Sequence, residues 1–265
     1  MRIENDTTLI GEDLADICDF LARSPKKWRG DSSVTDNDGY QWTYNLSYAQ
    51  AIRMATTGWP EGRERLAKLA MTPPERTKYM PVFDVAGERP DIDRYLTGDP
   101  RNMVSHTRKR IPRPIVRLLL NIGASAYVQG SQMTNFGVAL VSLINQLESD
   151  GKRIEVDLVY NVMMSQGARC HVGWGVKAAD QYLDLDQIAF ACAHPAAFRR
   201  LGFALFERLA PQYEHYAYGR PLDTNESDLR ELQAPADSIV IDGAWIWPRC
   251  HSAESARQAL EELVK

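Results

Sequence analysis

The stretch IVRLLLNIGASAYVQGSQMTNFGVALVSLINQLESDGKRIEVDLVYNV, residues 115–162, decides the fold. Its first eight residues are a near-continuous apolar run interrupted by Arg117, the pattern of a central strand covered on both faces. Phe136, Leu140, Leu143, Ile144 and Leu147 then recur at helical spacing, which predicts a helix over 130–147 ended by Asp150-Gly151. Over 153–162, Ile154, Val156, Leu158 and Tyr160 alternate with more polar neighbours, the period of a strand.

Working outward, 102–110 and 170–177 read as strands and 238–242 as a last strand. Helices are predicted at 186–193, capped by Asp184 or Asp186, and at 195–209, with Pro195 in the first turn. A C-terminal helix over 252–264 starts at Ser252. The segments 24–39 and 211–235 are polar and read as irregular. Toward the N-terminus, Leu9, Ile10, Leu14, Ile17, Phe20 and Leu21 have helical spacing, and further helices are predicted to end near Met54 and to span 61–71. The expectation is an α/β fold, a mixed sheet flanked by helices, organised as one domain over 1–265 with 1–80 as an N-terminal helical part.

Composition is that of an ordinary globular chain, 44% hydrophobic and 25% charged. No apolar run approaches the roughly 18 residues needed to cross a bilayer, and MRIENDTT is not a signal peptide, so a soluble intracellular protein with no membrane partner is expected. Cys18, Cys170, Cys192 and Cys250 lack paired spacing and are read as reduced thiols. Cys170-His171 and Cys250-His251 suggest zinc, but adjacent strand residues face opposite ways, so no metal and no cofactor is expected.

Charge is unevenly distributed. Residues 101–147 contain no Asp or Glu but hold Arg101, Arg108, Lys109, Arg110, Arg113, Arg117 and His106. The whole chain has 31 basic and 35 acidic residues, which leaves −10 for everything outside this window. Such a block attracts a polyanion; the structural alternative is a charged edge strand that resists pairing with other sheets. His106, Arg108 and Arg110 share one face of an extended strand, and Pro112 and Pro114 around Arg113 confine the segment to an edge or a bend. Cations at that pitch can track the phosphates of a single strand, and Tyr127 can stack on a base. A second combination, Lys26, Lys27, Trp28 and Arg29, places one aromatic among three cations. The alternative for both aromatics is packing on the core.

Catalytic signals are weak. There is no phosphate-binding Gly-Lys-Ser/Thr loop, no dinucleotide fingerprint and no Gly-x-Ser-x-Gly elbow. The pairs Asp91/Asp93 and Asp184/Asp186 sit at turn and cap signals, and His194 precedes Pro195 at a helix start. A non-enzymatic protein is expected.

Two resemblances add to this reading. Asn121-Ile122-Gly123-Ala124-Ser125, between strand and helix, resembles the start of a von Willebrand factor A-type domain, where Asp-x-Ser-x-Ser holds a divalent cation. Here Asn121 replaces the Asp and Gly123 the first Ser, which implies a degenerate metal loop on a reused scaffold. The strings GWPEGRERL (58–66), PVFDVAGERPDIDRYLTGDPRNMV (81–104) and NIGASAYVQG (121–130) resemble a family of uncharacterised tailed-phage proteins. Within that group the chain looks like a single-stranded-DNA-binding cofactor of a phage RNA polymerase. That resemblance implies a protein that holds melted DNA and recruits the polymerase in the cytoplasm of an infected bacterium. The partners expected are therefore single-stranded DNA and the phage RNA polymerase, and the sequence is also compatible with a homo-oligomer. The alternative function is a von Willebrand A-like adaptor or assembly factor that binds protein and no nucleic acid.

Overall fold

The structure is a computed structural model that describes residues 2–4, 7–23, 43, 46–68, 79–108, 113–125, 127–164, 167–211 and 221–264. The chain divides into two compact units, Met1–Thr72 with Ile115–Lys265, and Pro73–Pro114, where the sequence reading has one domain.

The first unit is built on the stretch that opened the sequence reading. Strand β6 (Ile115–Asn121) leads through a loop into α5 (Gly130–Ser149), which returns to β7 (Arg153–Met163), and β6 and β7 pair in parallel. On its other side β6 pairs in parallel with β9 (Ile239–Asp242). Beyond β7 lie the antiparallel β8 (Arg169–Lys177), the parallel β2 (Thr8–Gly11) and the antiparallel edge strand β1 (Arg2–Glu4). The mixed sheet therefore runs β1-β2-β8-β7-β6-β9.

Its two faces differ because side chains alternate along each strand. Leu118 and Leu120, with their register partners Val156, Leu158, Ile239 and Ile241, continue through Tyr160 and Val172 into one apolar core. Helix α5 adds Phe136, Leu140, Leu143 and Ile144 to that core. Further helical elements extend it: α6 (Leu185–Ala191), the π-helix Ala197–Gly202, α7 (Phe203–Leu209) and α10 (Ala253–Leu263). The opposite face carries Arg117, Leu119 and Asn121 on β6, Asp157, Val159 and Asn161 on β7, and His171 on β8. That polar face positions the first part of the candidate site.

Two local readings are corrected. Residues 9–21 are not one helix: β2 is followed by Glu12 and Asp13, then α1 (Leu14–Arg23). Asp13 Oδ1 accepts the Asp16 N–H, Asp16 accepts the Glu12 N–H, and Leu9 sits in the sheet core beside Val172. The leading Thr-Leu-Ile therefore satisfies its backbone groups on β8, and the N-terminal part supplies strands as well as helices. The polar segment 211–235 contains α8 (Glu226–Leu232), started by a capping box in which Asn225 and Asp228 exchange bonds with each other's backbone N–H. Its stability comes from that cap and from Asp228's buried partners, neither of which leaves an apolar periodicity.

The second unit is a three-stranded antiparallel sheet in the order β3 (Tyr79–Asp84), β5 (Met103–Arg108), β4 (Arg89–Pro90), with the short α4 (Ile92–Leu96) capped by Asp91. Strand β5 is its middle strand at Met103 and Val104, which pair on both sides, whereas residues 105–108, which include His106 and Arg108 of the basic segment, pair with β3 alone. Among the described residues of this unit Val104 is the one buried apolar side chain, while Val85, Ile92, Tyr95 and Leu96 are exposed.

Close packing of α5 beside Ala193 gives a direct test. A Cβ on Gly137 would lie 2.4 Å from the Ala193 Cβ. Gly137→Val is expected to destabilise the protein by roughly 1–3 kcal/mol through overpacking, measured as a lower urea midpoint at unchanged slope.

Candidate functional site

At the carboxyl end of the parallel strands, Asn121 of β6 lies in register with Asp242 of β9. Asn121 is 1% exposed, so its amide must find partners inside the protein. Its Nδ2 donates to Asp242 Oδ1 (2.7 Å), Leu222 O (2.7 Å) and Thr224 Oγ1 (3.0 Å), and its Oδ1 accepts the Asn161 N–H. Thr224 donates both its N–H (2.9 Å) and its hydroxyl (2.8 Å) to Asp242 Oδ1. An –NH₂ thus points at three oxygens, the place where a hard cation would seek them.

That geometry tests the divalent cation implied by the von Willebrand A resemblance, and the residues do not fit it. The amide protons of Asn121 occupy the oxygens, and Gly123 offers no hydroxyl. Asn121→Asp replaces the donor with a second carboxylate against Asp242. A loss on the order of 2–4 kcal/mol is expected, read by thermal unfolding, while wild-type melting is expected to be the same in magnesium and in chelator.

The network continues inward. Asn161 Nδ2 donates to Thr224 Oγ1 (3.2 Å), and its Oδ1 accepts from His171 Nδ1 (2.8 Å). His171 is fully buried, with Nε2 3.4 Å from Glu231 Oε2 and 3.6 Å from Asp228 Oδ1. Burial pushes the His171 pKa down, and the two carboxylates pull it partly back. Arg169 closes a fork on buried Asp228, Nε to Oδ1 at 2.7 Å and Nη2 to Oδ2 at 2.5 Å, and so fastens α8 to the sheet. Cys170, the neighbour of His171, lies in the apolar core instead, which separates the two as alternation requires.

Beside this network the loop from β6 to α5 is held from two sides. Arg199 of the π-helix, 2% exposed, donates Nη2 to Ser125 O (2.9 Å) and Val128 O (2.5 Å). Trp247, in the 3-10 turn Trp247–Arg249 that follows β9 and the short helix α9 (Gly243–Ile246), donates Nε1 to Gly123 O (2.9 Å). Gln132 of α5 donates back to Trp247 O (2.9 Å). Between these anchors Tyr127 is 94% exposed, so the alternative of core packing is overturned for it.

The other residues expected to contact nucleic acid are distributed as follows. Arg101 and Arg113 are exposed and have no ion pair among the described residues. His106 is exposed, with Nδ1 3.0 Å from Glu88 Oε2, whose carboxyl it holds below the usual range. Arg108 ends β5. Lys109, Arg110, Lys26, Lys27, Trp28 and Arg29 lie outside the described residues. Arg117 is tied to Asp237 (2.7 Å) and lies 3.7 Å from Glu155, so it belongs to the sheet's own ion pairs. Arg101, His106, Arg108, Lys109, Arg110 and Arg113 belong to the second unit, whereas Lys26, Lys27, Arg29, Arg117 and Tyr127 belong to the first.

The remaining chemistry-bearing groups have structural roles or stand apart. Asp184 caps α6, and His194 is buried between Trp59 and Phe190, its pKa pushed down to about 4 by burial. All four cysteines are buried and free, and no group of three or more His, Cys, Asp or Glu among the described residues is placed to hold a metal. At the opposite end of the sheet a cleft of about 360 Å³ is lined by Glu12, Asp13, Glu155, Asp157 and Gln187. There burial, with Glu155 adding to it, raises the Asp157 pKa to about 6. A carboxyl whose folded pKa lies above its unfolded one costs stability that builds as pH rises through the unfolded value and is complete above the folded one. Asp157→Asn is therefore expected to stabilise the protein by on the order of 2–3 kcal/mol at pH 7–8, with the gain fading as pH falls through 6 toward 4, measured by urea unfolding across that range.

Residues 5–265 match the family described as "Domain of unknown function (DUF7192)". The chain belongs to that family. No curated protein and no solved structure matches it.

Proposed function

We propose that this is a non-enzymatic binding protein for single-stranded nucleic acid. The observation that carries the reading is the acid-free run 101–147 in a net acidic chain, in which the exposed side chains of Arg101 and Arg113 have no ion pair among the described residues, whereas the side chains of His106 and Arg117 do. Phosphates are the ligand such unpaired cations suit, and the released counterions drive binding. Recruitment of a phage RNA polymerase, and with it a place in the cytoplasm of an infected bacterium, is the finer form of the proposal. It rests on the resemblance of the three quoted strings.

One observation favours the second reading, a protein-binding adaptor. Ile92 and Leu96 on α4, 69% and 76% exposed, stand beside exposed Tyr95 and Val85, and aliphatic surface of that kind suits a protein partner better than a sugar-phosphate chain. The two readings separate on salt. Single-strand affinity should fall by about 0.7 log units per log unit of salt for each phosphate contact. Replacing Arg108, Lys109 and Arg110 together with Ala is expected to weaken binding to all single strands alike and to flatten that slope, measured by fluorescence anisotropy. A folded triple variant with wild-type affinity and slope would refute the basic segment as the binding element.

A further inference from the structure

The fold brings a second acid-free segment against the first. Residues 243–253 contain no Asp or Glu, in a chain with 35 of them, and they follow β9 directly. Because β9 runs parallel beside β6, this segment lies against the loop 122–129, which is also acid-free. The bonds from Trp247 to Gly123 and from Gln132 to Trp247 fix the two together, and Asn135 of α5 adds a bond to Cys250 O (3.0 Å).

The resulting surface has a definite chemistry. Tyr127 belongs to the loop that Trp247 holds and is 94% exposed. Arg249 is exposed and lies over the Trp245 ring, 4.5 Å from its centroid, with Arg249 Nη1 on Trp245 O. Gln129 and Ser131, which follow Tyr127, and His251, which follows Arg249, are also exposed. Nearby acids come from other segments: Asp242 has its Oδ1 filled by Asn121 and Thr224, and Asp223 is exposed on the next loop. An aromatic that is exposed yet rigidly mounted loses little freedom on binding, and the neighbouring guanidinium supplies a phosphate contact.

We propose that the surface formed by Tyr127, Trp245 and Arg249 at the carboxyl end of the sheet is a nucleobase-stacking site for single-stranded nucleic acid, separate from the basic segment of the second unit. This rests on the single-strand reading and adds to it the place where a base is held. Tyr127 stacks on a base, and Arg249 meets the adjoining phosphate. Neither residue was singled out together with the other by sequence, because about 120 positions of chain separate Tyr127 from Arg249.

The test uses the full chain and a fluorescent oligothymidylate, with anisotropy titrations of wild type, Tyr127→Ala, Tyr127→Phe, Arg249→Ala and the Arg108/Lys109/Arg110 triple variant. Thermal melting of each confirms the fold. Tyr127→Ala is expected to weaken binding about fivefold to a hundredfold with the salt slope unchanged, and Tyr127→Phe is expected to restore it. Arg249→Ala is expected to weaken binding and flatten the slope by about one contact. If Tyr127→Ala and Arg249→Ala bind as wild type while the triple variant is impaired, the stacking site is wrong and the single-strand reading stands. If wild type itself fails to bind the oligothymidylate at low salt, both are wrong.

Discussion

The amide of Asn121 is the constraint on which the sheet's carboxyl end depends. Strand β6 is paired on both edges, and its last residue is buried where the chain must leave the sheet. A buried polar group there costs stability unless every atom is paired. Asn121 meets this with one side chain: its nitrogen gathers Asp242, Thr224 and Leu222, and its oxygen takes the β7 backbone at Asn161. Through Asn161 the bonds reach His171, whose Nε2 faces Asp228 and Glu231 at 3.6 and 3.4 Å without a hydrogen bond, and the separate Arg169 fork on Asp228 holds α8 over the polar face. The Asn121 network ties the ends of β6, β7 and β9 to the segment 222–224, and the Arg169–Asp228 fork fixes α8 beside it.

An internal amide in place of a bound cation changes what this end of the sheet offers. A cation site would need open oxygens, and here they are closed by hydrogen bonds within the chain. What faces outward instead is aromatic and cationic: Tyr127 on a loop clamped by Arg199 and Trp247, with Arg249 on the adjoining turn. The second unit adds exposed Arg101 and Arg113. Both surfaces come from segments without carboxylates, whereas acids line the cleft at the far end of the first unit. This polarity is the physical basis of the binding reading.

Much of the fold was legible because its period was local. The helix α5 and the strands β6, β7 and β8 agree with their predicted limits to within about two residues, since each carries its signal within its own stretch of chain. Strand β2 was hidden inside a helical reading because Leu9 and Ile10 fit both periods, and only its partner β8 decides between them. Helix α8 was hidden because its stability comes from a cap and from Arg169, not from an apolar stripe. The site was less legible for the same reason. Tyr127 and the exposed cations stand out by residue type, but Thr224, Asp242, Trp245 and Arg249 gain meaning only from strand pairing across more than a hundred positions. The Asp-Gly at 242–243, closing a predicted strand, was the one local signal for that end of the sheet.

The central claim is that the surfaces built on this protein's carboxylate-free segments hold a single strand of nucleic acid. An equilibrium titration of the wild-type chain with matched single- and double-stranded oligonucleotides at several salt concentrations tests it most directly. The account predicts tighter binding to the single strand, since duplex bases are not free to stack on Tyr127, with affinity falling linearly on a log–log plot against salt. Equal affinity for both forms, or binding indifferent to salt, would contradict it.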